Sequence, residues 1–459
     1  MNNQEINPPI NAEQTPKMLE NEGLSEWKVE AIGNLVESFA GGTPSRARTD
    51  YFNGDIPWIS SGEVNLPYIT DTKEKITQLG LESSSAKWIP KNSVLVAMYG
   101  ATAGVVSKLL INATSNQAVL ALVPKKELID IDFLYYQVKE NKEEILYLAQ
   151  GSGQPNLSKD LIDNFKINLP NSVATQQKIA KILSTADAVI EKTQAAIAKY
   201  KAIKQGLLHD LFTRGVVPET VKIQNEKGEE EEKTVWKLRP TYQEAPHLYK
   251  ESKLGMVPIE WEVERLESLT DKIGSGVTPT GGSEIYQSSG VLFIRSQNVL
   301  VGCLSIEDAA FITSEIDEKM EGSRVKPFDV LLNITGASIG RCAYFPLELT
   351  SANVNQHVCI IRFKNISKSL AVYASEFLNS DFGQSQINKL NAGGNREGLN
   401  FQQIKSFYFP VVEVSELEKI AERLVSIDAK LQTEQAYLQK LHRLKAGLMG
   451  DLLSGKVRV

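Results

Sequence analysis

Two kinds of hydrophobic pattern alternate along the chain. From residue 26 to 173, and again from 259 to 414, short apolar runs rich in Val, Ile, Phe and Tyr stand between clusters of Gly, Pro, Asn and Ser. Runs of that length and composition, bounded by turn formers, predict strands joined by tight connections. Helically spaced patches, Phe133 to Leu148 and Leu370 to Leu390, interrupt them. Each segment therefore reads as an α+β domain on a curved, largely antiparallel sheet.

The segments 174–215 and 415–454 differ in kind. In the first, apolar residues fall at Ile179, Leu183, Ala186, Ile190, Ile197, Tyr200, Leu207 and Leu211; in the second, at Ile420, Leu424, Ile427, Leu431, Leu438, Leu441, Leu448 and Leu452. This alternation of three and four is the seam of a coiled coil. Neither segment contains proline, Ser415-x-x-Glu418 has the form of a capping box, and Gly215 and Gly455 stand where helices stop. A helix of about 40 residues is roughly 60 Å long and needs a partner for its stripe. Two copies of one stripe in a single chain pair naturally about a pseudo-two-fold axis, which makes the helices antiparallel. The segment 216–258, with the run Glu229-Glu-Glu-Glu232, reads as a polar linker, and residues 1–25 as a polar tail.

The two halves repeat each other. Glu26-Trp27-Lys-Val29-Glu30 returns as Glu260-Trp261-Glu-Val263-Glu264, Thr43-Pro44 as Thr278-Pro279, and Trp58-Ile59-Ser-Ser61 as Phe293-Ile294-Arg-Ser296. Gly100-Ala101-Thr-Ala-Gly104 matches Gly336-Ala337-Ser-Ile-Gly340, and Asn116-Gln117 matches Asn355-Gln356. Lys178 to Leu211 aligns with Lys419 to Leu452 at an offset of 241 with 14 identities in 34 positions. Chance would give roughly two, so the chain is a tandem pseudo-dimer.

Composition narrows the chemistry. With 42% hydrophobic and 23% charged residues the chain has the balance of a folded globular protein. No apolar run approaches the roughly 20 residues of a membrane helix, and the N-terminus lacks the form of a signal peptide, which points to the cytoplasm. Cys303, Cys342 and Cys359 have no C-x-x-C spacing and the four histidines are scattered, so a zinc site is not expected. A net charge of −6 argues against indiscriminate coating of nucleic acid. The glycines of the two Gly-Ala-x-x-Gly elements read as tight turns, because no Lys-Ser/Thr follows to make a phosphate loop. Asn7-Pro-Pro-Ile10 lacks the aromatic residue of the adenine-methyltransferase signature it approaches. No methyl-donor fingerprint, zincin motif or nucleophile elbow is present, so the chain by itself should be inert.

This order of parts resembles the specificity subunits of type I restriction-modification enzymes along nearly the whole chain. The resemblance rests on Gly41-Gly-Thr-Pro-Ser45, Gly54-Asp-Ile-Pro-Trp-Ile-Ser60, the elements at Gly100 and Gly336 followed by Asn-Gln, and the long helices from about Gln176 and Glu416. The second copy departs from the fuller motif, with Gly276-Val-Thr-Pro-Thr280 and Phe293-Ile-Arg-Ser296. The resemblance implies two target recognition domains, each reading one half of a bipartite, asymmetric double-stranded DNA target, separated by the helices. It implies two methyltransferase subunits and motor-nuclease subunits as partners, and S-adenosylmethionine, ATP and magnesium on those partners rather than on this chain.

Base reading draws on Arg, Asn, Gln and hydroxyl side chains in exposed loops. The candidates are Arg46, Arg48, Ser60, Ser61, Asn65, Thr102 and Lys108 in the first domain. In the second they are Arg295, Ser296, Gln297, Asn298, Ser338, Arg341 and Arg396. For each, the alternative is ordinary solvated loop chemistry, and for the Asn-Gln pairs it is satisfaction of buried backbone groups. Two other functional classes share these features: a stand-alone DNA-modifying enzyme with duplicated recognition domains, and a coiled-coil scaffold for protein partners.

Overall fold

The computed structural model of the protein describes residues 26–149, 156–224, 230–279, 281–349, 351–391 and 398–459. Arg396 and the Asn7-Pro-Pro-Ile10 run lie outside the described residues. The chain forms two compact units, one of residues up to Thr193 together with Tyr437–Val459, the other of Gln194–Ala436.

Among the described residues the first unit contains ten strands: β1 (Trp27–Ala31), β2 (Val36–Ala40), β3 (Phe52–Ile59), β4 (Tyr68–Ile69), β5 (Glu74–Ile76), β6 (Ser93–Ala97), β7 (Val106–Leu109), β8 (Thr114–Ser115), β9 (Val119–Pro124) and β10 (Lys166–Pro170). Five form a sheet in the order β2-β9-β6-β7-β4, three form a second sheet β5-β3-β8, and β1 pairs with β10. Most pairings are antiparallel as expected; β3–β8 and β4–β7 are parallel. Strand β6 is a continuous apolar run because both its faces are covered. Val94 and Val96 join a core with Phe133 and Tyr136 of the helix Ile131–Glu140, while Leu95 and Ala97 join another with Ile59 and Ile69.

The second unit repeats this plan. Its strands are β11 (Val216–Gln224), β12 (Glu230–Leu238), β13 (Tyr249–Ser252), β14 (Gly255–Pro258), β15 (Glu262–Arg265), β16 (Thr270–Ser275), β17 (Val291–Ile294), β18 (Ala310–Ile312), β19 (Arg324–Val325), β20 (Val330–Asn333), β21 (Cys342–Tyr344), β22 (Ala352–Val354), β23 (Val358–Phe363) and β24 (Tyr408–Val411). The sheets β16-β23-β20-β21 and β18-β17-β22-β19 and the pair β15–β24 follow the first unit's β2-β9-β6-β7, β5-β3-β8 and β1–β10, except that, among the described residues, the first sheet lacks a counterpart of β4 and the second gains β19 at its edge. Val330 and Leu332 face one core and Leu331 the other, as in β6.

The segment expected as a solvated linker is ordered where it is described. Strands β11 and β12 make an antiparallel ribbon from Val216↔Leu238 to Gln224↔Glu230, and β13 pairs with β14. Glu230, Glu231 and Glu232 of the acidic run are exposed residues of β12. The base of the ribbon is held by Arg239, whose guanidinium donates to both oxygens of Glu416 at 2.5 and 3.0 Å.

The two long helices span Val173–Thr213 and Val414–Leu453, within two residues of expectation at each end. Gly215 and Gly455 adopt φ of 61° and 78°, the left-handed stop that glycine tolerates. The capping box does not form. The second helix opens at Val414, so Ser415 falls inside the first turn and its hydroxyl donates to the Glu413 carboxylate.

In each unit the start of one long helix packs against the end of the other, so the pair is antiparallel. In the first unit Ile179 and Leu183 share a core with Leu452 and Leu453. In the second, Leu211 and Phe212 share one with Ile420 and Leu424. Between the helices, Lys445 donates to Asp187, whose other oxygen accepts the Tyr136 hydroxyl at 2.8 Å. In the second unit Lys204 contacts Asp428 at 2.7 Å and Glu376 at 2.9 Å. Asp187 and Asp428 are equivalent in the repeat, as are Lys204 and Lys445, both at offset 241. One ion pair is thus built twice.

Burial, then the bond to Asp187, pushes the Tyr136 phenol well up, so it stays a donor. Burial also raises the Glu376 carboxyl, against the pull of Lys204. A half-buried polar contact within an apolar seam fixes register. A double-mutant cycle on Asp187→Ala and Lys445→Ala should accordingly give a coupling of about 1 kcal/mol or more in denaturant unfolding. Strict additivity would show that the seam alone sets the register.

Candidate nucleic-acid interface

In the first unit, four loops meet where β2, β3 and β6 end and β9 begins. Gly42 N donates to Ser115 O at 2.8 Å, Asn116 N to Ile59 O at 2.9 Å and Met98 N to Ala118 O at 2.9 Å. The approach is so close that a Cβ on Gly41 would lie 2.1 Å from the Ser115 carbonyl oxygen. The second unit repeats the arrangement, with Gly276 N on Asn355 O at 3.2 Å, Asn355 N on Ile294 O at 3.1 Å and Ile334 N on His357 O at 3.0 Å.

The Asn-Gln pairs tie these loops together. Asn116 Oδ1 accepts from Ala118 N, and Asn355 Oδ1 accepts from His357 N, each at 3.1 Å. Both asparagines thus satisfy backbone, the structural alternative anticipated for them. The glutamines reach across: Thr43 donates its hydroxyl to Gln117 Oε1, and Thr278 donates to Gln356 Oε1. Both copies therefore latch the Thr-Pro loop to the Asn-Gln loop through the same hydroxyl–amide bond. In the second copy the chain continues, with Gln356 Nε2 3.1 Å from His357 Nε2 and His357 Nδ1 2.7 Å from the Thr335 hydroxyl.

The glycines of the Gly-Ala-x-x-Gly elements serve as turns. Gly100, Gly104, Gly336 and Gly340 all have positive φ and bracket single 3-10 turns, Gly100–Thr102 and Gly336–Ser338. Thr102 and Ser338 are half-buried on these turns and Arg341 is exposed beyond the second.

The loops after β3 and β17 are fixed by buried caps. Glu63 accepts from Ser60 N and Ser60 Oγ, both at 2.9 Å, and from Lys73 N at 2.8 Å. At the equivalent position Asn298 accepts from Arg295 N at 3.0 Å and donates to Ser305 O at 3.0 Å. Asn298 is only 4% exposed, so the base contact expected of it is corrected to a structural cap. Asn65 and Gln297 are exposed on these loops, and Ser61 and Ser296 half-buried. Arg295 is half-buried, donates Nη2 to Asp308 O at 3.0 Å and lies over the Tyr286 ring.

Lys108 is likewise corrected. It is 6% exposed, pairs with Asp132, and sits over the rings of Tyr68 and Tyr135. A cation so engaged presents nothing to a ligand. Arg46 and Arg48 remain on the surface, each held by a carboxylate that sequence reading passed over. Arg46 donates to Glu74 at 2.6 and 3.2 Å, and Arg48 to Asp50 at 2.9 and 2.6 Å. The Asp50 carboxyl is held below its usual range by these bonds. The run Arg46-Ala-Arg48-Thr-Asp50 displays that local charge pairing. Among the described residues, no group of three or more His, Cys, Asp or Glu side chains is placed to hold a metal, and no helix is long and apolar enough to cross a membrane.

Each of the two α+β units carries the same loop latch and packs the start of one long helix against the end of the other, so the fold is a duplicated one. The chain belongs to the family described as type I restriction modification DNA specificity domain, which matches residues 24–200 and 258–443. It is 25% identical over 442 residues to the MjaVIII specificity subunit of Methanocaldococcus jannaschii, covering 95% of this chain and 93% of that one. The Escherichia coli EcoR124I/EcoR124II specificity subunit is 28% identical over 212 residues, 44% of this chain and 51% of that one. A solved S subunit of a type I restriction-modification system from M. genitalium shares the fold, with TM-score 0.57 and 17% identity over 96% of this chain and 99% of that one.

Proposed function

We propose that this chain is the address reader of a type I restriction-modification complex in the cytoplasm, with each α+β domain recognising one half of a bipartite double-stranded DNA target. Two methyltransferase subunits and motor-nuclease subunits supply the chemistry, and S-adenosylmethionine, ATP and magnesium bind to them. The helix pair sets the gap between half-sites. With about 34 to 36 Å per turn of DNA, helices of about 60 Å suit half-sites one to two turns apart.

The observation that carries this reading is a common frame that carries unlike side chains. Thr43–Gln117 and Thr278–Gln356 hold the loops alike. Where the first frame presents Tyr99, the second has Thr335, and Ala118 is matched by His357. Equal frames with different donors and acceptors read different base edges, so the target is asymmetric. Mapping methylated adenines in a host with and without this chain should reveal one bipartite motif that vanishes on deletion. An unchanged methylation map would refute the assignment.

A further inference from the structure

We propose that Arg48 reads a guanine in the half-site of the first domain, and that Asp50 is the residue that positions it. This rests on the DNA-reading role above and names a base, an edge and a positioning carboxylate within it. A guanidinium offers two bidentate edges: the side edge of Nε and Nη2, and the end edge of Nη1 and Nη2. Guanine presents O6 and N7 side by side in the major groove, and an arginine edge matches both.

The two arginines of the first recognition loop use opposite edges internally. Arg46 gives its end edge to Glu74, through Nη1 at 2.6 Å and Nη2 at 3.2 Å. Its guanidinium also lies over Phe52 and Trp58, 4.5 and 5.1 Å from the ring centroids, so it is held against the protein. Arg48 gives its side edge to Asp50, through Nε at 2.9 Å and Nη2 at 2.6 Å. The end edge of Arg48 is left for a ligand. Its guanidinium stacks 4.8 Å from the Tyr51 ring centroid.

The turn beneath is anchored, with Thr77 N donating to Tyr51 O at 2.9 Å and Thr77 Oγ1 to Asp50 O at 2.9 Å. The side chains of Arg48 and Asp50 are 56% and 48% exposed, so a base edge can reach them. Because Asp50 neutralises the cation beside it, the pair has little attraction for a phosphate and keeps its directional donors. Those properties favour a base edge over the backbone.

The test uses the full chain assembled with its methyltransferase subunits and a duplex carrying the mapped target. Arg48→Ala should relax the preference at one guanine of a single half-site by roughly tenfold or more, leaving every other position unchanged. Replacing that guanine by 7-deazaguanine, which lacks the N7 acceptor, should weaken wild-type binding and leave the R48A complex unaffected. Asp50→Asn should lose part of the preference at the same position only. Uniform weakening across sequences in R48A, with the salt slope reduced by about one, would mean a phosphate contact and overturn the proposal. So would an unaltered preference in R48A. An unaltered preference in D50N would overturn the positioning role of the carboxylate. If the wild-type complex binds no bipartite sequence at all, the DNA-reading assignment itself fails.

Discussion

Replacing Glu416 by alanine is expected to remove about 3–5 kcal/mol of stability from the second unit, the cost of stranding a buried charge. Glu416 and Arg239 are 4% and 5% exposed. Besides the two bonds from Arg239, the Glu416 carboxylate accepts Val216 N at 2.8 Å and Trp261 Nε1 at 3.1 Å. It therefore joins the start of the second long helix, the base of the β11–β12 ribbon and the tryptophan that opens the second repeat. Removal leaves two N–H groups without partners and takes from the guanidinium its buried counter-ion, leaving it Arg214 O at 2.9 Å and Glu260 at 3.8 Å, whereas Glu416→Gln keeps acceptors and should lose less. Removing both charges together, Glu416→Met with Arg239→Met, should recover much of the loss, since the pair is also costly to bury. Urea unfolding followed through tryptophan fluorescence measures all three. A loss below about 1 kcal/mol in E416A would mean that Arg239 reaches water without difficulty.

The second large effect is a change of address. Seven residues deleted from each long helix, between Asp187 and Lys204 in one and between Asp428 and Lys445 in the other, preserve both interhelical ion pairs because each is shortened alike. Seven residues correspond to about 10.5 Å of helix, roughly three base pairs of duplex. The methylated target should keep both half-sites while the gap between them changes, and the original target should no longer be modified. Methylation mapping reads the outcome directly. Altered half-sites with an unchanged gap would contradict the role given to the helices.

The parts of the fold legible in sequence are those whose signal is periodic. The seam from Ile179 to Leu211 and its copy predicted the long helices to within two residues at each end, because apolar spacing and terminal glycines act locally. The β11–β12 ribbon was not legible. Strands reading Val-Val-Pro-Glu-Thr-Val and Glu-Glu-Glu-Lys-Thr-Val bury little of their own length, and their order depends on cross-strand pairing and on Arg239. The capping box failed because Glu413, two residues upstream of Ser415, caps the helix instead, its carboxylate accepting from Ser415 N at 3.1 Å. In the site, residue type identified polar loops but not direction. Lys108 and Asn298 turn inward because Asp132 and the Arg295 backbone offer partners there. Arg48 turns outward with its end edge free, which only the geometry of Asp50 reveals.

The latch between the Thr-Pro and Asn-Gln loops bears on how such a protein acquires a new target. Its two bonds, Thr43–Gln117 and Thr278–Gln356, carry the shape of the surface, whereas exposed side chains such as Asn65, Gln297 and Arg341 hang from it. Exchanges at exposed positions of that kind commonly change stability by less than about 0.5 kcal/mol. Vocabulary can therefore drift, one letter at a time and in either lobe independently, while the grammar that holds the reading head together stays fixed.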